Sequence, residues 1–371
     1  MQFEVKSLAF EEILSNVLPA IPNKTTQPIL TNFLFEISNG ELVVSATNGE
    51  MTIKSKTEIF STENISFCLP AKLLYDTIKN IGSDTLLKIE LLDNQRLIIK
   101  ANRGEYKFTY IDPVEYPKQL VSIEENFTEI NGLYLKKLIQ KTSFAAAPED
   151  DTRIAMTGLL FDFEPGILKV VATNGHLLGK YEKAVESVDF TGQYIIPARA
   201  AEALQKVLTD KIVRIYFLQG SIKFVIGNYE LISRLINAKY PDYNSVIPKE
   251  TKYELLVNSN NLKTALKRLL IYTTGDTKKV ILSIQENKII LKAYNDLISA
   301  EGSEEVDCTY SNTPFDISFN GSNLEKVISS FDNDDIVIKM NSPEKTVLIK
   351  SVNDVQGEDF LILTVPIRLN K

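Results

Sequence analysis

The chain reads as an α+β protein built from three tandem copies of one domain, and three observations predict it. A short pattern, Ser45-Ala46-Thr47-Asn48-Gly49-Glu50-Met51, returns as Val171-Ala172-Thr173-Asn174-Gly175-His176-Leu177 and again, worn, as Lys292-Ala293-Tyr294-Asn295-Asp296-Leu297. Its alanines are 126 and 121 residues apart. A second pattern moves in step, from Phe67-Cys68-Leu69-Pro70-Ala71-Lys72 to Tyr194-Ile195-Ile196-Pro197-Ala198-Arg199 to Ile317-Ser318-Phe319-Asn320-Gly321-Ser322, by 127 and 123 residues. Finally, 371 residues exceed what one hydrophobic core serves, and a step of about 120 is a domain length rather than a solenoid period. The domains then run 1–124, 125–250 and 251–371.

Each copy opens on a strand: Phe3-Glu4-Val5, Phe127–Ile130 and Tyr253–Val257. A helix follows each time. Phe10, Ile13, Leu14 and Val17 recur at i, i+3, i+4 and i+7, as do Leu135, Leu138 and Ile139, and Leu262, Leu266 and Leu269, giving one apolar face per helix. Short strands come next. Asn39-Gly40 between Phe33–Ile37 and Glu41–Ala46 reads as a hairpin turn, and Asn287 holds the matching place in the third copy.

The second helix of each copy starts after the Pro-Ala pattern, where the missing N–H of proline costs nothing. Its inner faces are Leu74, Ile78 and Ile81, then Ala201, Leu204 and Leu208, then Leu324, Val327, Ile328 and Phe331. More strands close each unit. Tyr106, Phe108 and Tyr110 are expected to point inward, with Lys107 and Thr109 outward. One repeat is therefore strand–helix–strands–helix–strands, two helices on one side of antiparallel sheet. The final run, Val365 to Leu369, reads on its own as an edge strand with a tail.

Composition bounds the class. Hydrophobic content of 44% and charged content of 24% are those of an ordinary folded protein. No apolar run approaches the roughly 18 residues of a membrane span, and Met1-Gln2-Phe3-Glu4-Val5 lacks the features of a signal peptide. Cys68 and Cys308 lie in different repeats without metal or redox spacing, which fits reduced thiols in a cytoplasmic protein.

The net charge of −7 does not advertise a nucleic-acid partner, but its distribution does. Helices expected at Val5–Leu18, Pro70–Ile81, Leu133–Ala147, Pro197–Thr209, Asn260–Thr273 and Gly321–Phe331 carry −1, +1, +3, +1, +3 and 0. They total +7, leaving −14 on the strands and loops. Helices facing one way would form a positive surface able to hold phosphates without reading sequence. The alternative is an ordinary lysine-rich helical surface.

No catalytic constellation is present. A single histidine, His176, precludes a His pair or a multi-histidine metal site, and no phosphate loop or dinucleotide fingerprint occurs. Glu149-Asp150-Asp151 and Asp332-Asn333-Asp334-Asp335 each follow a helix among turn residues and read as solvated loops. A metal-dependent hydrolase would need those carboxylates to converge on a divalent ion. A third possibility is a monomeric scaffold of tandem domains. No catalytic residue, metal or cofactor is assigned.

Several motifs in order carry a resemblance over essentially the whole chain. They are Gln27-Pro28-Ile29-Leu30, Arg153 with Gly158-Leu159-Leu160-Phe161, Ala172-Thr173-Asn174-Gly175-His176, Tyr240-Pro241-Asp242-Tyr243 with Val246-Ile247-Pro248, and Val365-Pro366-Ile367-Arg368-Leu369. With these the chain resembles the bacterial sliding clamps, the beta subunits of DNA polymerase III. The resemblance implies a non-catalytic DNA clamp: a closed ring of two copies joined head to tail, with helices lining the hole and antiparallel sheets outside. Such a ring encircles duplex DNA without sequence preference. It confers processivity by tethering the replicative polymerase, and the clamp loader and other replication and repair proteins use the same peptide-binding pocket.

Residue by residue, the resemblance places that pocket at Met156, Thr173, Gly175, His176, Leu177, Leu178, Pro241, Val246, Thr364, Val365, Pro366, Ile367, Arg368 and Leu369. It sets Tyr106 and Phe108 of the first domain against Ile271 and Tyr272 of the third at the dimer contact, where paired edge strands would satisfy each other. Lys24 and Lys72 match basic DNA-contacting positions, and helix charge adds Lys136, Lys141 and Arg199. Two departures stand out: Leu177 occupies a place where the family usually has arginine, and Ser245 one where a basic residue is common. Both make the rim less positive. Asn370-Lys371 also extend past the usual end.

Overall fold

The computed structural model describes residues 2–59, 61, 63–82, 85–117, 127–275, 278–295, 297–332, 334–353 and 355–368. The first repeat contains β1 (Gln2–Lys6), α1 (Ser7–Val17), β2 (Asn32–Ser38), β3 (Glu41–Thr47), β4 (Met51–Glu58), β5 (Ile65–Pro70), α2 (Ala71–Ile81), β6 (Leu86–Leu92), β7 (Arg96–Ala101) and β8 (Gly104–Thr109). The second contains β9 (Phe127–Asn131), α3 (Gly132–Gln140), β10 (Gly158–Glu164), β11 (Ile167–Thr173), β12 (Leu177–Ala184), β13 (Gly192–Pro197), α4 (Ala198–Val207), β14 (Ile212–Leu218), β15 (Ser221–Ile226) and β16 (Tyr229–Arg234). The third contains β17 (Tyr253–Asn258), α5 (Ser259–Leu269), β18 (Lys279–Gln285), β19 (Lys288–Asn295), β20 (Ala300–Asp307), β21 (Phe315–Asn320), α6 (Gly321–Ser329), β22 (Asp335–Met340), β23 (Val347–Ser351) and β24 (Glu358–Thr364).

Every repeat thus supplies two four-stranded halves, and neighbouring repeats share sheets. One eight-stranded sheet runs β5-β2-β3-β4-β16-β15-β14-β9, the other β13-β10-β11-β12-β24-β23-β22-β17. Two halves stay alone, as four-stranded sheets β1-β6-β7-β8 and β20-β19-β18-β21. All pairings are antiparallel. Compactness follows the shared sheets, not the repeats. One unit holds 1–136 with 199–235, the other 137–198 with 236–371. The boundary at 124/125 lies outside the described residues.

In the first unit, Phe10, Ile13, Leu14 and Val17 of α1 are buried as their spacing requires, each such side chain stabilising the fold by roughly 1.5–3 kcal/mol. The β2–β3 hairpin turns on Asn39 (φ 51°) and Gly40 (φ 77°), the positive values that a two-residue turn of matching twist demands. Cys68 pairs its backbone with Ile111. Burial pushes its thiol up to about 12, so it is an inert core residue.

The helix expected over Leu133–Ala147 stops at Gln140. Thr142 leaves helical φ at −122°, its hydroxyl donates back to the Leu138 carbonyl, and a short 3-10 turn follows at Ser143–Ala145. Gly179 of β12 explains the close approach here, since a Cβ on it would meet Lys141 and Thr142 backbone at 3.3–3.4 Å. With α1 and α3 at their true lengths the six helices total +5. The run from Val365 forms no edge strand: it follows β24, and Ile367 makes only an isolated bridge, to Ser318. Tyr106 lies on the inner face opposite buried Ile99, as expected, but stays 37% exposed because β8 is the outermost strand of its sheet. Phe108 is buried.

Candidate functional site

The repeated Thr-Asn-Gly segment builds the same turn twice. Thr173 Oγ1 donates to the Leu177 carbonyl (2.6 Å) and accepts from the Gly175 amide (3.1 Å), while Asn174 Oδ1 accepts from His176 and Leu177 N–H (2.9 and 2.8 Å). Thr47, Asn48 and Gly49 make the matching bonds in the first copy. Glycine is required because φ is +85° at Gly175 and +89° at Gly49. In both copies the loop holds the adjoining strand: the His176 carbonyl accepts from Val365 (3.0 Å), the Glu50 carbonyl from Arg234 (2.9 Å).

Beside the second turn lies an apolar cluster of Ala155, Leu160, Val171, Leu178, Ile195, Tyr240, Tyr243, Leu348, Leu361 and Leu363, with Ile236, Ala238 and Ile247 packed against it. Strand pairing places Leu177 opposite Thr364 and Leu178 opposite Leu363. Tyr240 anchors by donating to the Val171 carbonyl (3.3 Å), and Tyr243 to the buried Asp162 (3.1 Å). Around the cluster, Ile154, Val246 and Val365 expose apolar surface, as His176 and Arg368 expose polar surface.

The structure therefore gathers Thr173, Gly175, His176, Leu177, Leu178, Thr364 and Val365 directly through β12, its turn and β24. Met156 follows the cluster residue Ala155, Pro241 sits between Tyr240 and Tyr243, and Val246 ends the 3-10 turn that Tyr243 begins. Pro366 and Ile367 continue from β24 until Ile367 bonds the Ser318 carbonyl (2.8 Å), and Arg368 is exposed. Leu369, Asn370 and Lys371 lie outside the described residues. Leu177 is 2% exposed, an apolar residue buried where the resemblance leads one to expect arginine.

Sequence reasoning missed the floor of the cluster. Leu361 and Leu363 alternate on β24, but their face has meaning only once β24 is known to pair with β12. It also left Arg153 without a role. Its guanidinium grips Asp151 through two bonds (3.0 and 2.8 Å) and donates to the Asn174 carbonyl (3.1 Å), so it braces the turn. Those hydrogen bonds hold the Asp151 carboxyl down to about 2.

The equivalent face in the first unit is more polar. Register matches Leu160, Val171, Leu178 and Ile195 with Leu34, Ser45, Thr52 and Cys68, and Leu348, Leu361 and Leu363 with Lys223, Glu230 and Ile232. Lys223 and Glu230 form an ion pair at 2.9 Å. The same backbone frame thus offers an apolar floor once and a mixed, partly charged one once.

The candidate cations divide. Lys24 and Lys72 are exposed. Lys136 donates to the Leu208 carbonyl (3.1 Å), Arg199 to the Pro19 and Ile21 carbonyls (3.0 and 2.8 Å). Lys141 is buried, bonded to the Ser330 carbonyl and paired with Asp332 at 2.6 Å. Ile271 is 78% exposed and Tyr272 partly so. Among the described residues no three His, Cys, Asp or Glu side chains gather as a metal site, and no helix is long and apolar enough to cross a membrane.

Comparison with known proteins covers nearly the whole chain. Residues 1–120, 129–242 and 244–365 match the N-terminal, central and C-terminal domains of the DNA polymerase III beta subunit family. The chain is 26% identical to the beta sliding clamp of Haemophilus influenzae over 372 aligned residues, 100% of both chains. The solved DnaN sliding clamp of Pseudomonas aeruginosa bound to griselimycin is similar with a TM-score of 0.89 at 25% identity, and the DNA polymerase sliding clamp of Bacillus subtilis with 0.88 at 25%, each covering 100% of both chains.

Proposed function

The chain belongs to the DNA polymerase III beta subunit family, the sliding clamps, and from that premise we propose how its own residues do the work. It is a DNA clamp that encircles duplex DNA, tethers the replicative polymerase and catalyses nothing itself. We assign it to the cytoplasm, where bacterial chromosomes are copied, and take 1–124, 125–250 and 251–371 as its three domains.

One observation carries the ring reading: neighbouring repeats join through a fixed strand pair, and one such pair is missing. β4 pairs with β16 and β12 with β24, each time at the same register, Ile53 opposite Leu231 and Gly179 opposite Ile362. The counterparts left over are β20 of the third repeat and β8 of the first, with Gly302 and Tyr106 at those places. Two copies joined head to tail supply both missing pairs and close the ring. In that register Glu301 faces Lys107 and Glu305 faces Arg103 of the second copy, opposite charges across the new strand pair. Tyr106, Phe108, Ile271 and Tyr272 belong to this contact, Phe108 as support from within the core.

The partner-peptide pocket is assigned to the cluster beside Gly175, with Met156, Thr173, His176, Leu177, Leu178, Pro241, Val246 and Thr364 to Leu369. An apolar floor with a few polar groups at its rim suits a short peptide with aliphatic or aromatic anchors. For DNA, Lys24 and Lys72 are the preferred contacts. Lys136, Lys141 and Arg199 are already bonded within the protein, so they serve the fold before the phosphates.

The decisive experiment loads the clamp onto circular and linear DNA and raises the salt. Retention on the circle with loss from the linear form is the expected result, because topology does not depend on counterion release. Equal loss from both would overturn the encircling mechanism.

A further inference from the structure

Among the described residues, the four most exposed large apolar side chains all flank the two strands left without a pairing partner. Val114 (85%) follows β8, while Leu297 (85%) and Ile298 (72%) lead into β20. Ile271 (78%) belongs to the turn Leu270–Tyr272, which packs on β20 so closely that a Cβ on Gly302 would meet Tyr272 at 2.9 Å. Water-facing apolar side chains normally occur singly and scattered. Their concentration at the two open edges points to a surface that becomes covered.

The hairpin before β20 is also built differently from its counterparts. At the two closed junctions its last strand pair is Thr47–Thr52 or Thr173–Leu178, and the turn beyond carries Asn48-Gly49-Glu50 or Asn174-Gly175-His176. In the third repeat the equivalent pair is Tyr294–Glu301, and one more pair follows it, Asn295–Ala300. The turn therefore projects one pair farther, and it presents Leu297 and Ile298 where the other two present small or polar residues. Asn295 Oδ1 accepts from the Leu297 N–H (3.2 Å), which holds this end of the turn in place without a partner.

The closed junctions show what the turn meets. There the Glu50 and His176 carbonyls accept from the Arg234 and Val365 N–H groups of the adjoining strand. With Gly302 opposite Tyr106, the matching bond runs from Thr109 of the second copy to the Ser299 carbonyl. Continuing that register sets Ile298 beside Tyr110 and Leu297 beside Ile111 of the second copy, with Val114 three residues on. Ile111 is itself exposed in the single chain. We infer that Leu297 and Ile298 form an apolar clasp on the segment Tyr110–Val114 of the second copy, a contact that the two junctions within the chain lack. This rests on the head-to-tail ring proposed above. Only the junction between copies has no covalent link across it, so its strength decides whether the ring parts. Charge pairs such as Glu301 with Lys107 weaken as salt rises, whereas apolar burial does not rely on unscreened charge. The clasp thus keeps the ring shut where its ion pairs are screened.

Sedimentation equilibrium of the full-length protein at about 0.1 M and about 1 M salt tests it. The Leu297→Ser/Ile298→Ser variant should dimerise at least about tenfold more weakly than the parent at both salt concentrations, with an unchanged far-ultraviolet circular dichroism spectrum. Ile111→Ser should weaken dimerisation several-fold by itself. Added to the hairpin variant it should cost little more, because the contact it would remove is already gone. A hairpin variant that dimerises like the parent, or losses that simply multiply, would overturn the clasp and leave the ring standing. A parent protein that stays monomeric at micromolar concentration would overturn both.

Discussion

Glu358 shows how much one carboxylate can hold. Burial pushes its carboxyl up, yet hydrogen bonds from Lys137, Lys183 and Tyr181 outweigh it and bring the group down to about 2. Burial, then the bond to Glu358, pushes the Tyr181 phenol up. The unfolded chain therefore takes up this proton first as pH falls, so the stability Glu358 contributes at neutral pH drains away between about pH 4.5 and about pH 2. Glu358→Gln should cost about 2 kcal/mol at neutral pH. Its melting temperature should also fall less steeply than the parent's on acidification; parallel curves would refute the assignment. Gly175 acts in a different way, on the turn beside the proposed peptide site. A side chain there meets positive φ and the Arg153 guanidinium at 2.7 Å. Gly175→Ala should lower stability by about 1 kcal/mol and weaken binding of a fluorescent partner peptide, read by anisotropy. An unchanged urea midpoint would mean the turn is not held as described. The need for Gly175 was legible in the repeated Asn-Gly. The burial of Lys141 was not, because Ser330 and Asp332 lie nearly 200 residues away.

At the scale of elements, apolar periodicity located every helix, since each face answers to a core built within a few turns of chain. Strand order was the hidden part. The pairing of Leu178 with Leu363 spans half the chain, and nothing local in β24 distinguishes an interior strand from an edge. Hence the run after β24 reads alone as an edge strand, although it leaves the sheet and only Ile367 bridges, to Ser318. The pattern of shared sheets also makes the missing pair testable. Glu301→Lys should set two lysines opposite each other across copies and weaken dimerisation about fivefold, roughly 1 kcal/mol, in sedimentation equilibrium. Adding Lys107→Glu should restore it. Failure of the second change to rescue the first would show that β8 and β20 meet in another register, or not at all.

For the whole molecule, dimerisation and peptide capture should separate. The Glu301→Lys variant should be retained less well on circular DNA while keeping its peptide affinity, because every described residue of the proposed peptide site lies within one compact unit. A parallel loss of peptide binding would place part of the pocket elsewhere. The shared sheets carry one more consequence, for how such a chain came about and how it can be cut. The stretch that was duplicated is not the stretch that folds. Excising a single repeat at its sequence boundaries would strip β4 of β16, or β12 of β24, and leave a raw hydrogen-bonding edge on each fragment. A lone ancestral copy would have carried both mating edges at once. It was therefore suited to assemble with its own kind before any gene fusion linked three in a row.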